Sequence, residues 1–407
     1  MIMEKKLKVV WLCHFATDEI TDILKPRKKV QEFAPWIPIS IKTIEDSPEL
    51  DIYVVSPYPY IKGIKQVSLR GVHYTFFNPT ILGGRLLYNR FFRLDYFTNF
   101  IKSKIVIKRI VNRIKPDVIH LFGAENPYYS SSILRFYKNY PSILTVQGFV
   151  FKSTAADKFT KKRITIEKEI LNNTKIAFCE AKCLGDDLRL FSPNVKLFWH
   201  FYGSYEVKPI VPSPRKKYDI VFFAKIIKDK GIKDLIDAIN ILKQDRPHIK
   251  ACIIGGNKIN EYSDYSQRIG LGDNIEWTGR LDTREEVHLK ALEGRISVLP
   301  TYHDINPGTI IESMFLGIPV VSYDIPANLE INEKGEVIKL VEYKNINKLA
   351  ECIAELLDNQ GEREQLSKAA KVRAKELFAP SNEKLQACLK EGYQEAMAMY
   401  HKERRRQ

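Results

Sequence analysis

Twice along this chain, short apolar runs alternate with longer stretches of mixed, helix-like pattern, and that rhythm limits the fold more than any other feature. The first series is KLKVVWLC (6–13), DIYVVSP (51–57), PDVIHLFG (116–123), SILTVQG (142–148) and TKIAFCE (174–180). The second is YDIVFFAK (218–225), IKACIIGG (249–256), NIEWTG (274–279), RISVLP (295–300) and IPVVSYD (318–324). Strands buried on both faces read as apolar runs, and parallel neighbours need helical crossovers between them. The spacing therefore predicts two α/β domains, each a doubly wound parallel sheet. At 407 residues the chain also exceeds the size at which one core stops growing, which suits two domains of roughly 200 residues each. The rhythm breaks at EVKPIVPSPRKKY (206–218), where three prolines and a basic cluster read as a linker. Expected limits are 1–205, 206–380 and a terminal helix over 381–407. That helix is free to cross back to the first domain, and its basic end, ERRRQ, is expected to fray.

Composition sets the class. With 44% hydrophobic and 28% charged residues, the chain has the balance of a soluble globular protein. Its apolar runs fall short of the roughly 18 residues a membrane span requires. The opening MIMEKKLKVVWLC reads as a first strand rather than a signal peptide, so a cytoplasmic location is expected. Six scattered cysteines, Cys13, Cys179, Cys183, Cys252, Cys352 and Cys388, read as reduced thiols. Cys179 and Cys183 lack a second pair to complete a zinc site, so no metal is expected.

The net charge of +15 is unevenly spread: residues 1–200 hold 32 Lys+Arg against 18 Asp+Glu, and the remainder is nearly neutral. Such one-sided charge points to an anionic partner, whether acidic lipid head groups, a diphosphate-linked acceptor or nucleic acid, or else to a merely solvated basic face. The stretch LLYNRFFRLDYFTNFIKSKIVIKRI (86–110) interleaves aromatics with Arg and Lys. It reads either as an amphipathic helix lying peripherally on the inner face of the cell membrane or as crossover helices over the first sheet.

The chemistry concentrates in VLPTYHDINPGTIIESMFLGIPVVSYD (298–324). A strand ends at Pro300, a loop carries Asp304 and Asn306, and a helix opens near Gly308 and Thr309 and stops around Gly317. Free N–H groups of Gly308, Thr309 and Ile310 at the positive end of the helix dipole suit a phosphate. Glu312 could accept ribose hydroxyls while Asp304 faces a sugar. The competing reading makes Thr309-x-x-Glu312 a capping box, in which Glu312 only satisfies the N–H of Thr309. In FFAKIIKDKGIKDLIDAI (222–239), Lys225 and Lys230 precede Gly231 and could converge on one diphosphate, as a divalent metal does elsewhere. A solvated lysine-rich loop is the alternative.

Together these segments resemble the retaining glycosyltransferases of family 4, which have the GT-B fold: two Rossmann-like domains facing a central cleft. The family's Gly-Arg-x4-Lys-Gly and E-x7-E patterns correspond to Lys225-x4-Lys230-Gly231 and Asp304-x7-Glu312. Lys stands for Arg in the first and Asp for Glu in the second. IKACIIGG, NIEWTGR, DIPANLEINEKGEVIKL (324–340) and NINKLAECIAELL (345–357) follow the family's order. The resemblance implies that Lys225 and Lys230 meet the donor diphosphate, Glu312 the ribose, and Asp304 the transferred sugar, with Arg280, Asn306 and the residues 308–310 completing the donor site. Lys for Arg forgoes bidentate phosphate recognition, and Asp for Glu draws the carboxylate back by one methylene.

The first half matches more loosely. PDVIHLFGAEN (116–126) looks like a family strand and loop, making His120, Glu125 and Asn126 candidate acceptor or sugar-pocket residues. Gln147 stands where the family often has a His facing the sugar; it can hydrogen-bond but not act as acid or base. The family's glycine-rich loop after the first strand is absent here, where HFATDEITDILKPRKK (14–29) holds no glycine.

The expected function is transfer of a hexose-type sugar, with retention, from a UDP- or GDP-sugar to a hydroxyl of a glycan or lipid-linked acceptor, without cofactor or metal. Cell-surface polysaccharide or glycolipid assembly is the expected setting. Rival readings are a nucleotide-sugar epimerase or hydrolase on the same fold, or a non-enzymatic basic protein that binds nucleic acid or a membrane surface. A dinucleotide dehydrogenase would need a G-x-G-x-x-G turn that neither half shows.

Overall fold

A computed structural model describes residues 6–28, 34, 36–45, 47–80, 94–153, 157–200, 207–208, 210 and 215–406. Residues 86–93 of the basic aromatic stretch, and 206, 209 and 211–214 of the expected linker, lie outside these. The chain divides into two compact units, Met1–Ser204 with Ser381–Gln407, and Tyr205–Pro380.

The first unit is built on eight strands: β1 (Leu7–Leu12), β2 (Leu50–Pro57), β3 (Ile64–Leu69), β4 (Val72–Phe77), β5 (Val118–Phe122), β6 (Ser142–Thr145), β7 (Ile176–Cys179) and β8 (Lys196–Trp199). They lie in the order β3-β4-β2-β1-β5-β6-β7-β8. All neighbours run parallel except β3 and β4, an antiparallel hairpin that interrupts the expected all-parallel sheet. Arg70 and Gly71 turn that hairpin, both with positive φ, as a tight two-residue connection demands. Strands β3 and β8 escape sequence reading because β3 alternates exposed with half-buried positions and β8 is a short edge, so neither shows an apolar run.

His120 is corrected from pocket candidate to core residue. It is wholly buried in β5, its ring stacked on Phe122 at 4.0 Å. Trp11 Nε1 donates to the Tyr393 hydroxyl at 3.0 Å, and that hydroxyl shares a hydrogen bond with His120 Nδ1 at 2.8 Å. His120 Nε2 shares another with Thr145 Oγ1 at 2.6 Å. Burial holds the imidazole well below its ordinary pKa, so it stays neutral and both nitrogens are satisfied. Tyr393 belongs to the final helix, Asn382–Arg404, whose Leu389 and Ala396 join the same core. The bonds that join Trp11, His120 and Thr145 to Tyr393 fix how that helix docks.

The second unit is a parallel sheet of β9 (Tyr218–Phe223), β10 (Ala251–Ile254), β11 (Ile275–Gly279), β12 (Gly294–Leu299), β13 (Val320–Tyr323) and β14 (Lys339–Val341). Its order, β11-β10-β9-β12-β13-β14, reverses direction between β9 and β12. A doubly wound sheet offers its ligand crevice outside the strand C-termini at such a switch point. The loops that leave β9 and β12 carry the two motifs singled out from the sequence. Among the described residues, no helix is long and apolar enough to cross a membrane, and all six cysteines are free thiols.

Candidate functional site

In the second unit the loop after β9 is forced against the end of β12. Gly231 has φ +69°, and a Cβ there would stand 1.9 Å from the Pro300 carbonyl oxygen, so only glycine closes this turn. The Asp229 carbonyl accepts from Tyr302 N–H at 2.8 Å and from the Thr301 hydroxyl at 3.1 Å. From below, buried Asp234 accepts from the Tyr302 and Tyr323 hydroxyls, each at 2.7 Å. The turn that carries Lys230 is thereby pinned, and Lys230 Nζ meets Asp304 Oδ2 at 2.5 Å. Lys225 lies exposed at the end of β9 and, among the described residues, forms no ion pair. The fold thus brings Lys230 to Asp304.

The helix after the Asp304 loop spans Gly308–Leu316 and ends on Gly317 at φ +73°. Its N-cap is Pro307, which supplies no side-chain cap. Thr309 sits inside the helix, its hydroxyl donating to the Phe223 carbonyl at 2.7 Å. That rules out the capping-box reading, because Glu312 turns elsewhere. His288 Nε2 lies 2.9 Å from Glu312 Oε2, and Arg284 pairs with Oε1. Burial alone would raise the Glu312 carboxyl, but the hydrogen bonds and charge from His288 and Arg284 hold it below its ordinary range. Asn306 Oδ1 is sealed from solvent with no partner, Gly308 is half-buried, and Ile310 is fully buried.

Arg284 and His288 were missed in the sequence. They stand four apart on the helix Arg284–Ala291, hence on one face, behind a Thr283 N-cap that accepts from Glu286 N–H at 3.1 Å. An Arg-x3-His pair at the start of a helix was the available signal. With Thr283, Glu285, Lys208 and Ile210 they line a cavity of about 250 Å³ beside Glu312. Arg280 is exposed on the loop after β11. The Gly255-Gly256 pair serves packing: a Cβ on Gly255 would lie 2.0 Å from the Ala224 carbonyl oxygen.

In the first unit, Glu125, Asn126 and Gln147 gather at the C-terminal ends of β5 and β6. Asn126 Nδ2 donates to His14 Nδ1 at 3.0 Å, and Asn126 Oδ1 accepts from Tyr128 N–H at 3.2 Å. Gln147 donates through its amide nitrogen to Glu125 Oε1 at 3.1 Å and accepts from Trp36 Nε1 at 3.0 Å. Glu167, buried on the helix Lys158–Asn172, accepts from Val150 and Phe151 N–H at 2.8 and 2.7 Å and anchors the segment that follows Gln147.

Two family models match the chain: "Glycosyl transferases group 1" over residues 205–373 and "Glycosyl transferase 4-like" over residues 60–180. The capsular polysaccharide biosynthesis glycosyltransferase CapM of Staphylococcus aureus is 24% identical over 39% of this chain and 42% of its own length. TuaC of Bacillus subtilis (strain 168), named for teichuronic acid biosynthesis, is 26% identical over 62% of this chain and 64% of its own. The chain therefore spans less than two thirds of either relative. Among solved structures, sucrose-phosphate synthase from Thermosynechococcus elongatus superposes with a TM-score of 0.70 at 17% identity, covering 97% of this chain and 100% of that one. Anabaena Alr3699/HepE, solved with UDP and glucose, gives 0.60 at 12% identity, covering 95% and 100%. At such identities the likeness is one of fold.

Proposed function

We propose that this chain, which belongs to the GT-B glycosyltransferase superfamily, is a retaining enzyme. It moves a hexose from a UDP- or GDP-sugar to a hydroxyl of a glycan or lipid-linked acceptor in cell-surface polysaccharide or glycolipid assembly. The supporting observation is the crevice of the second unit, where a lysine–aspartate pair, an uncapped helix N-terminus and a carboxylate clasped by Arg284 and His288 stand at one switch point. In this reading Tyr205–Pro380 binds the donor and the first unit the acceptor.

The parts divide by charge. Lys230, Lys225 and Arg280 take the diphosphate with the N–H groups of Gly308, Thr309 and Ile310, and stabilise it as it leaves. Glu312 uses its remaining lone pairs for the ribose hydroxyls, while Asp304, released from Lys230 by the phosphate, faces the sugar. The acceptor hydroxyl attacks from the face the diphosphate leaves, its proton passing to the departing phosphate oxygen. The fitted names of the relatives support the setting, and the UDP complex of HepE supports the donor class.

A thermal-shift series with UDP and GDP on the native chain, Lys230→Ala and Glu312→Ala tests the donor site. We expect one nucleotide to stabilise the native chain and neither variant. Equal stabilisation of all three, or of none, would sink the assignment. Incubation with labelled sugar nucleotide and no acceptor separates the rivals, since an epimerised sugar would mark an epimerase.

A lipid surface is a second proposed partner, carried by an exposed face of the first unit. Phe97 is 67% exposed beside Ile101 and Ile105, with the Lys158 ammonium 5.6 Å from its ring centre. Binding to phosphatidylglycerol vesicles that falls with salt and with Phe97→Asp is expected; no binding at low salt rejects it.

A further inference from the structure

The amide of Gln147 is held by two neighbours that no motif connects. Gly123, at the end of β5 with φ +80°, has no Cβ, and the Glu125 carboxyl folds back into that space. A Cβ there would stand 2.4 and 2.5 Å from the two carboxyl oxygens and 2.7 Å from the amide nitrogen of Gln147. Oε1 of Glu125 accepts from the Gln147 amide nitrogen, and Trp36 Nε1 donates to the Gln147 oxygen. Oε2 of Glu125 is sealed from solvent without a partner. A primary amide offers two N–H groups and two lone pairs. Half of this set is spent on Glu125 and Trp36, and the residue itself stays half-buried.

We propose that Glu125 and Trp36 are positioning residues that lock the Gln147 amide in one orientation, so that its remaining N–H and lone pair bind vicinal hydroxyls of a sugar or polyol substrate. The proposal deepens the glycosyltransferase reading and rests on it for the identity of that substrate. An amide is otherwise free to turn over, exchanging donor for acceptor. Here a turn would set two acceptors against each other at Glu125 and two donors at Trp36.

The lock depends on the state of Glu125. Burial, with the nearby charge of Glu167, pushes its carboxyl up to about 7 against the opposing pull of its own backbone hydrogen bond and of Arg163. The groups facing it are Arg163 and Glu167 on the helix Lys158–Asn172, Tyr129 beyond β5, and the amide of Gln147. Ionised, Glu125 can only accept and holds the amide one way. Neutral, it can also donate, and the preference weakens.

The four tryptophans make this measurable, because the Trp36 indole N–H is a reporter for the Gln147 oxygen. In chain labelled with 15N-indole, the Trp36 signal should titrate near pH 7 and cease to do so in Glu125→Gln. Glucose and glycerol, used as hydroxyl probes, should move that signal in the native chain but not in Gln147→Ala. With UDP-glucose and GDP-mannose as donors, turnover should fall about tenfold in Glu125→Ala and in Trp36→Phe. UDP or GDP should still stabilise both variants, and Glu125→Gln, whose amide accepts but can also donate, should restore turnover only in part. A Trp36 signal that is flat with pH, or that neither probe moves, overturns the proposal, as does loss of nucleotide stabilisation in Glu125→Ala. Failure of the glycosyltransferase reading would show separately, as a native chain that no nucleotide stabilises while Trp36 still titrates.

Discussion

Glu312, on the helix Gly308–Leu316, and Glu125, just past the end of β5, are both buried carboxyls, one in each unit, and their surroundings drive them in opposite directions. Arg284 and His288 bind Glu312 and keep it below the ordinary range despite burial. Glu125 has an amide on one oxygen and nothing on the other, so burial prevails and lifts it to about 7. Fixed opposite charges, also seen in the Lys230–Asp304 pair, prepare the second unit for a charged ligand. The first unit spends its polar groups on orientation, which suits a neutral ligand rich in hydroxyls.

The sharpest way to break this contrast is to remove each carboxyl. Glu312→Ala should weaken UDP or GDP binding about 100-fold, given that hydrogen bonds to charged groups contribute roughly 1.5–3 kcal/mol each. Glu125→Ala should leave that affinity unchanged in the same calorimetric titration, and equal losses would erase the distinction. Next comes stability against pH, measured by denaturant unfolding. The folded-state pKa of Glu125 is raised, so its contribution is full below about 4.5 and is lost as pH rises through about 7. Glu125→Gln should therefore gain on the native chain by at most about 3 kcal/mol at pH 8, and by little at pH 4.5. For Glu312 the sign is reversed: its contribution is present above 4.5 and is lost as pH falls through the lower folded value. Glu312→Gln should trail the native chain at neutral pH, the gap closing in acid.

The smallest effect separates the two partners of Glu312. The His288 side chain is 6% exposed and that of Arg284 is 59% exposed. Exposed ion pairs are screened by water and salt, so His288→Ala should weaken nucleotide binding more than Arg284→Ala, and only the Arg284 effect should fade at high salt.

Legibility followed the range over which each feature is written. The turn at Gly231 and the helix from Gly308 to Gly317 are local, so their residues stand together in the chain and could be read. Glu312 could be singled out, but its partners lie on the helix Arg284–Ala291, and only the crossing of two elements brings them together. The same holds for Gln147, Glu125 and Trp36, which come from three separate segments. His120 misled because its partners, Trp11, Thr145 and Tyr393, are spread over almost the whole chain. A histidine in a strand carries no mark of which face or which distant hydroxyl it will meet. Strands β3, β8 and β14 went unread because edge strands need no apolar run, and β4 because His73 and Thr75 interrupt its own.

The hydroxyl of Tyr393 also orders events in time. It completes a core that begins at β1, yet it is synthesised only after all of Tyr205–Pro380. Until then Trp11 and His120 lack the group that satisfies them, and the first half of the chain stays basic and incompletely closed. A chain stopped at Pro380 would hold every strand of both sheets and still leave the earlier one unsealed, a natural substrate for chaperones and proteases.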